Sequence, residues 1–284
     1  GAELGPFAEV TPAALADEVA AWGLLGTEER ALRFGPPLTL DQREKYRPVA
    51  EFVVRMWRWV QRGREGQRPV GPRLLVDAMP GAGKSVALNA LCGWCKELTG
   101  GHLRLMCCAM TGSAATIVKG ATVYTLLGIG PKEVKTGEKL APLGSNANKS
   151  ETAAAVRSMF SPATGLEHKG WTAAGIACDE VSQFHPGMLN HVSDRLREVA
   201  ETQELKDMPF GGHMVLLQGD FFQLEPVKAK SFFRGTMECL VHGCPAGNVD
   251  EAQKWLDKYG PHKSEREGIE LFVKFRRVTL DSQL

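Results

Sequence analysis

The chain has 284 residues, a net charge of +1, 43% hydrophobic and 24% charged side chains, enough for one large domain or two small ones with an ample core. Near-neutral charge excludes bulk electrostatic attraction to nucleic acid and leaves only local patches for such contact, and no apolar run approaches a membrane span in length. Seven irregularly spaced cysteines exclude a secreted disulfide framework and favour a reducing, intracellular compartment; the start, with Glu3, Glu9, Asp17 and Glu18, is not a secretory signal.

In chain order, Thr11-Pro12 opens a helix with a capping hydroxyl and a first-turn proline, and Leu15, Val19 and Trp22 form its apolar stripe. Gly35-Pro36-Pro37 closes this N-terminal flank, residues 1–37. A second helix is predicted from Leu40 through Phe52, Met56 and Trp59, kinked or split at Pro48. The basic link Arg62–Gly66 leads to a short strand, Leu74–Val76. Ala78-Met79-Pro80-Gly81-Ala82-Gly83-Lys84-Ser85 follows, and then a helix over Val86–Leu98. Strand, glycine-rich turn and helix are the context a phosphate-binding loop needs. There the loop Pro80–Ser85, through the backbone N–H groups of Gly81–Ser85, and the helix N-terminus converge on phosphate oxygens. Lys84 is placed to meet the terminal phosphates and Ser85 to ligate Mg²⁺; the first position of the pattern, usually Gly, is Ala78.

Leu103–Ala109 reads as a buried strand, and Ser113-Ala114-Ala115 begins a short helix. Residues 131–150 are rich in Lys, Gly, Asn and Ser and are predicted to be an exposed insertion. Helices over Glu151–Met159 and Gly187–Ala200 alternate with strands over Ala173–Cys178 and His213–Gln218, and a last strand is predicted over Glu270–Lys274. Residues 228–268 read as irregular. The alternation predicts an α/β fold, a parallel sheet with helices on both faces, in which ligands collect at the carboxyl ends of the strands. The acid pair Asp179-Glu180 ends one strand, so Asp179 is expected to hold the metal and Glu180 to polarise an attacking water. In the turn after His213–Gln218, the Gln223 amide is expected to sense the γ-phosphate. Cys92 and Cys95 are expected to be two buried thiols; Cys239, His242 and Cys244 have three possible zinc ligands but no evident fourth.

Several stretches together resemble one family. Leu38-Thr39-Leu40-Asp41-Gln42-Arg43 is similar to a Q motif, and Met110–Ala115 with Gly120–Thr125 to a motif Ia region. Asp179-Glu180-Val181-Ser182 is similar to motif II, and Pro209-Phe210-Gly211-Gly212 with Gln218–Leu224 to the run into motif III. The family is the Pif type of superfamily-one helicases, which move 5′→3′ on single-stranded DNA. The resemblance implies the first RecA-like domain of an ATP-dependent DNA helicase, a P-loop NTPase using ATP and Mg²⁺, with single-stranded or forked DNA as partner. It implies that Gln42 reads the adenine edge, that Gly81, Ala82, Gly83, Lys84 and Ser85 hold the triphosphate, and that Thr111, Gly112, Thr122 and Tyr124 line the DNA strand. Lys274-Phe275-Arg276-Arg277 resembles motif IV, which assigns Arg276 to the transferring phosphoryl group. Tyr124, Gln183, Glu225 and Arg277 stand where the family usually has His, Met, Pro and Gln. Motifs V and VI are not in this sequence, so a second RecA-like domain is expected beyond Leu284, and the chain, which lacks an initiator Met, is expected to be a fragment. The resemblance further implies a role in DNA repair or recombination, in the nucleus or mitochondrion of a eukaryote or otherwise in the cytoplasm. The alternative from another class is a degenerate stand-alone module that binds nucleotide or DNA without turnover.

Overall fold

A computed structural model describes residues 38–130, 140, 142–143, 150–160, 170–220 and 263–280. The N-terminal flank, Gln223 and the Cys239/His242/Cys244 group lie outside the described residues. The elements are α1 (Leu40–Gln61), β1 (Arg73–Ala78), α2 (Lys84–Leu98), β2 (Leu103–Ala109), α3 (Gly112–Ile117), β3 (Ala121–Thr122), α4 (Val123–Leu127), α5 (Ser150–Phe160), β4 (Thr172–Asp179), α6 (Pro186–Glu198), α7 (Gln203–Asp207), β5 (Met214–Gly219), α8 (Lys263–Phe272) and β6 (Arg276–Leu280). The strands form one sheet in the order β3-β2-β4-β5-β1-β6, and every pairing is parallel.

Apolar residues run almost unbroken along β1, β4 and β5 because both sheet faces are covered. Leu74 and Val76 of β1 join a core with Tyr46, Val49, Phe52 and Val53 of α1 and Leu88 and Leu91 of α2. Leu75, from the alternate position, joins the opposite core with Val123 of α4, Phe160 of α5 and Leu189 and Val192 of α6.

Four expectations are corrected, the first in its alternative of a split helix. Helix α1 is continuous through Pro48. The bond that proline cannot donate is missed by the carbonyl of Glu44, an exposed residue, so water can take its place. The expected strand over Glu270–Lys274 is instead the end of α8, and the strand starts at Arg276. Short apolar runs do not distinguish helix from strand by themselves, and here Ser264–Glu267 extends the run into a helix lying on α6. This helix also occupies the end of the stretch predicted to be irregular. In the predicted insertion, Leu140 and Leu143 are buried against α5 and α6, and the Leu143 N–H donates to Glu198 at 2.7 Å.

The N-terminus of α6 carries a pH dependence. His185 caps it, with Nδ1 accepting from the Met188 N–H at 3.2 Å. Burial, then the neighbouring His191, lowers the His185 pKa from 6.5 to about 4. A histidine depressed in the folded state stabilises the fold above the unfolded pKa, and that contribution is lost as pH falls from about 6.5 to about 4, by about 3 kcal/mol. Buried His213, pushed down by burial and then by Arg68, acts in the same direction. Denaturant midpoints compared at about pH 7.5 and about pH 5 are expected to fall with acid. The fall is expected to be smaller in His185→Asn, which keeps a capping side chain. An equal fall in both proteins would refute the assignment to His185.

Candidate active site

The carboxyl ends of β1, β4 and β5 are adjacent in the sheet, and each delivers one part of the site. The loop Met79–Gly83 leaves β1 with Gly81 at φ 80° and Gly83 at φ 75°, a left-handed pair that aligns the following amides. Pro80 and Gly81 lie at its exposed tip, whereas Ala82 is buried. No side chain caps α2, which leaves its first N–H groups aimed at the loop mouth. Lys84 is buried, with Nζ donating to the Ala78 carbonyl at 2.6 Å and the Met79 carbonyl at 3.0 Å.

Beside the loop, Ser85 Oγ donates to Asp179 Oδ2 at 3.0 Å. Two hard oxygen donors at this separation, one hydroxyl and one carboxylate, fit Mg²⁺, which takes few protein ligands when phosphates and water supply the rest. Among the described residues no group of three or more His, Cys, Asp or Glu side chains is gathered for a metal. Asp179 Oδ1 accepts from the Glu180 N–H and from Gln218 Nε2, both at 3.0 Å, and Gln218 Oε1 accepts from the Tyr46 hydroxyl at 2.7 Å.

Glu180 is held at φ 55° and ψ 48°, a left-handed conformation uncommon for a residue with a side chain. Its carboxyl is half-buried and its pKa is raised by burial, then by Asp179 and Asp220, against the lowering effect of Lys84. Gly219 makes the turn possible from below: a Cβ there would lie 2.7 Å from the Val181 nitrogen and 3.4 Å from the Glu180 carbonyl carbon. Lys84, Ser85, Asp179 and Glu180 are thus brought together as the spacing of the two strand ends predicts.

Two predicted residues are placed otherwise. Gln42 is 1% exposed and its amide is occupied: Oε1 accepts from the Thr39 N–H at 3.0 Å in a capping box, and Nε2 donates to the Ala82 carbonyl at 3.2 Å. It fastens α1 to the phosphate loop. Arg276 pairs with Leu74 in the β1–β6 register, five positions before Met79 and so about 16 Å along the strand from the loop. It is not brought to the site. Arg277 instead forms an ion pair with Asp77, directly below the loop.

Thr111 and Thr122 stand at the ends of β2 and β3, each capping the next short helix with its hydroxyl, while Gly112 is exposed and Tyr124 half-buried. Cys95 is a buried thiol as expected, with its pKa pushed up by burial to about 12; Cys92 is only half-buried, its Sγ 3.2 Å from Cys107 Sγ. Tyr46 and Gln218 were not legible as site residues. Gln218 carried a signal, as the first residue of the run resembling motif III and as a polar residue closing an otherwise apolar strand.

A family model described as PIF1-like helicase matches residues 67–242. The chain is similar to ATP-dependent DNA helicase Pif1 of Psychrobacter sp. (strain PRwf-1), at 29% identity over 160 residues, covering 56% of this chain and 21% of the relative. It is 31% identical over 150 residues to ATP-dependent DNA helicase RRM3 of Saccharomyces cerevisiae, covering 53% of this chain and 18% of the relative. Against a crystal structure of Pif1 helicase from Candida albicans the TM-score is 0.49 at 17% identity, covering 87% of this chain and 40% of that one. The chain therefore spans only about a fifth of the length of these two curated relatives.

Proposed function

Because the chain belongs to the PIF1-like helicase family, we propose that it forms the ATP-hydrolysing RecA-like domain of a DNA helicase that moves 5′→3′ on single-stranded DNA. The observation that carries this reading is the convergence of Lys84, Ser85, Asp179 and Glu180 where β1 and β4 end on either side of β5. Loop amides and Lys84 bind the β- and γ-phosphates, with the Lys84 ammonium exchanging carbonyl partners for phosphate oxygens. Ser85 and Asp179 are the residues that hold Mg²⁺, which when bound neutralises charge on the phosphates. Glu180 accepts a proton from the attacking water, and its raised pKa suits a base poised nearer neutrality. Exposed Thr111 and Gly112, with Thr122 at the end of β3 and Tyr124 in α4, form the side of the domain offered to the DNA strand. Among the described residues no helix is long and apolar enough to cross a membrane, and free thiols suit a reducing compartment in contact with the genome.

The test is ATP hydrolysis by the complete gene product with and without single-stranded DNA. DNA is expected to stimulate turnover, and Lys84→Ala to remove it by at least about 100-fold through lost phosphate stabilisation. Equal rates with and without DNA would overturn the helicase reading, and in that case nucleotide binding without turnover would support a binding module.

A further inference from the structure

The side chain of Asp179 has a buried support that the phosphate-loop chemistry does not explain. Three elements far apart in sequence contribute to it: Tyr46 from α1, Gln218 from β5 and Asp179 from β4. Tyr46 and Gln218 are completely buried and Asp179 is 3% exposed. The Tyr46 hydroxyl donates to Gln218 Oε1 at 2.7 Å, and Gln218 Nε2 donates to Asp179 Oδ1 at 3.0 Å. The amide has one workable orientation, since turning it over would set its oxygen against the carboxylate. Burial, and then the Asp179 charge, hold the Tyr46 pKa well above its usual value, so the hydroxyl keeps its proton and remains a donor. The consequence falls on the carboxylate: Oδ1 is committed to Gln218 and the Glu180 N–H, and Oδ2 alone is turned to Ser85.

We propose that Tyr46 and Gln218 are positioning residues for the metal ligand Asp179, a hydrogen-bonded chain that presents Oδ2 beside Ser85 and ties α1 to the metal side of the site. Gln42, one helical turn before Tyr46, ties the same face of α1 to the loop backbone through Ala82. One helix thereby sets the loop and the carboxylate at a fixed separation. The inference rests on the reading of Ser85 and Asp179 as the Mg²⁺ ligands.

The experiment is a titration of N-methylanthraniloyl-ADP fluorescence with the chain, in EDTA and across a Mg²⁺ series. Gln218→Leu is expected to raise the Mg²⁺ concentration for half-maximal effect about 10-fold, and Tyr46→Phe about 3-fold, with affinity in EDTA changed less than about 2-fold. In the double variant, Tyr46→Phe is expected to add nothing to Gln218→Leu, because the hydroxyl acts only through the amide. Thermal melts accompany each protein, and Tyr46→Phe, which removes one atom, carries the test if Gln218→Leu fails to fold. Unchanged Mg²⁺ midpoints in variants that still bind the nucleotide, or additive shifts, would overturn the positioning role alone. Absence of nucleotide binding by the unsubstituted chain would overturn the phosphate-site reading and this inference with it.

Discussion

Replacing Glu180 with glutamine is expected to lower kcat for ATP hydrolysis by about 10²- to 10⁴-fold, the range a positioned general base supplies, while leaving nucleotide affinity nearly unchanged. The substitution is close to isosteric, so the left-handed turn at φ 55° and its packing over Gly219 are retained. What is removed is the proton acceptor. Burial, with Asp179 and Asp220 nearby, raises the Glu180 pKa above 4.5, so the acid limb of the unsubstituted enzyme's rate profile is expected to lie above that of an ordinary glutamate. The limb should disappear in Glu180→Gln. Steady-state rates against pH, with fluorescent-nucleotide binding in parallel, check both statements. A loss of affinity matching the loss of rate would mean that Glu180 supports the loop and not the water.

Gly268→Ala is expected to destabilise the fold by about 3 kcal/mol, the upper end for forcing an extra carbon into a packed interior. A Cβ at Gly268 would lie 1.8 Å from the Pro186 carbonyl oxygen and 2.4 Å from its carbonyl carbon, both main-chain atoms that no rotamer change can move. Helices α8 and α6 would have to separate. With them would go the Asn190–Glu267 hydrogen bond at 2.9 Å and the edge-to-face contact between Phe210 and Phe275. Urea denaturation at neutral pH measures the loss as a shift of midpoint at constant slope. An alanine variant as stable as the unsubstituted protein would show that α8 does not press on α6 this closely.

What could be read from the chain was what local pattern encodes. The apolar run Leu74–Val76 before Met79–Ser85, and the run ending at Asp179-Glu180, each carry strand, chemistry and position together, and the structure sets their ends on either side of β5, close enough for Ser85 to reach Asp179. What could not be read depends on pairing between distant segments. Arg276 follows an aromatic residue as a motif IV arginine does, but its height in the sheet is set by register with Leu74, which no local pattern records. The same holds for Tyr46, one apolar-looking position on the inner face of α1 until β5 brings Gln218 beneath it. Gln42 was assigned to the right loop, where its amide lies on a peptide carbonyl, because an amide suits a base edge and a peptide carbonyl equally.

The strand order also has a consequence for biosynthesis. β1 emerges early, yet both of its neighbours, β5 and β6, are made late. While α2, β2 and β4 are already out, the strand that carries the phosphate loop has no ladder to join, so Leu74 and Val76 depend on α1 and α2 for cover. At about 5–20 residues per second the interval lasts several seconds, long enough for a holding chaperone to act. A nascent chain stalled before Met214 would therefore leave the β1 backbone without a ladder partner, and nucleotide capture should begin only after β5 has inserted.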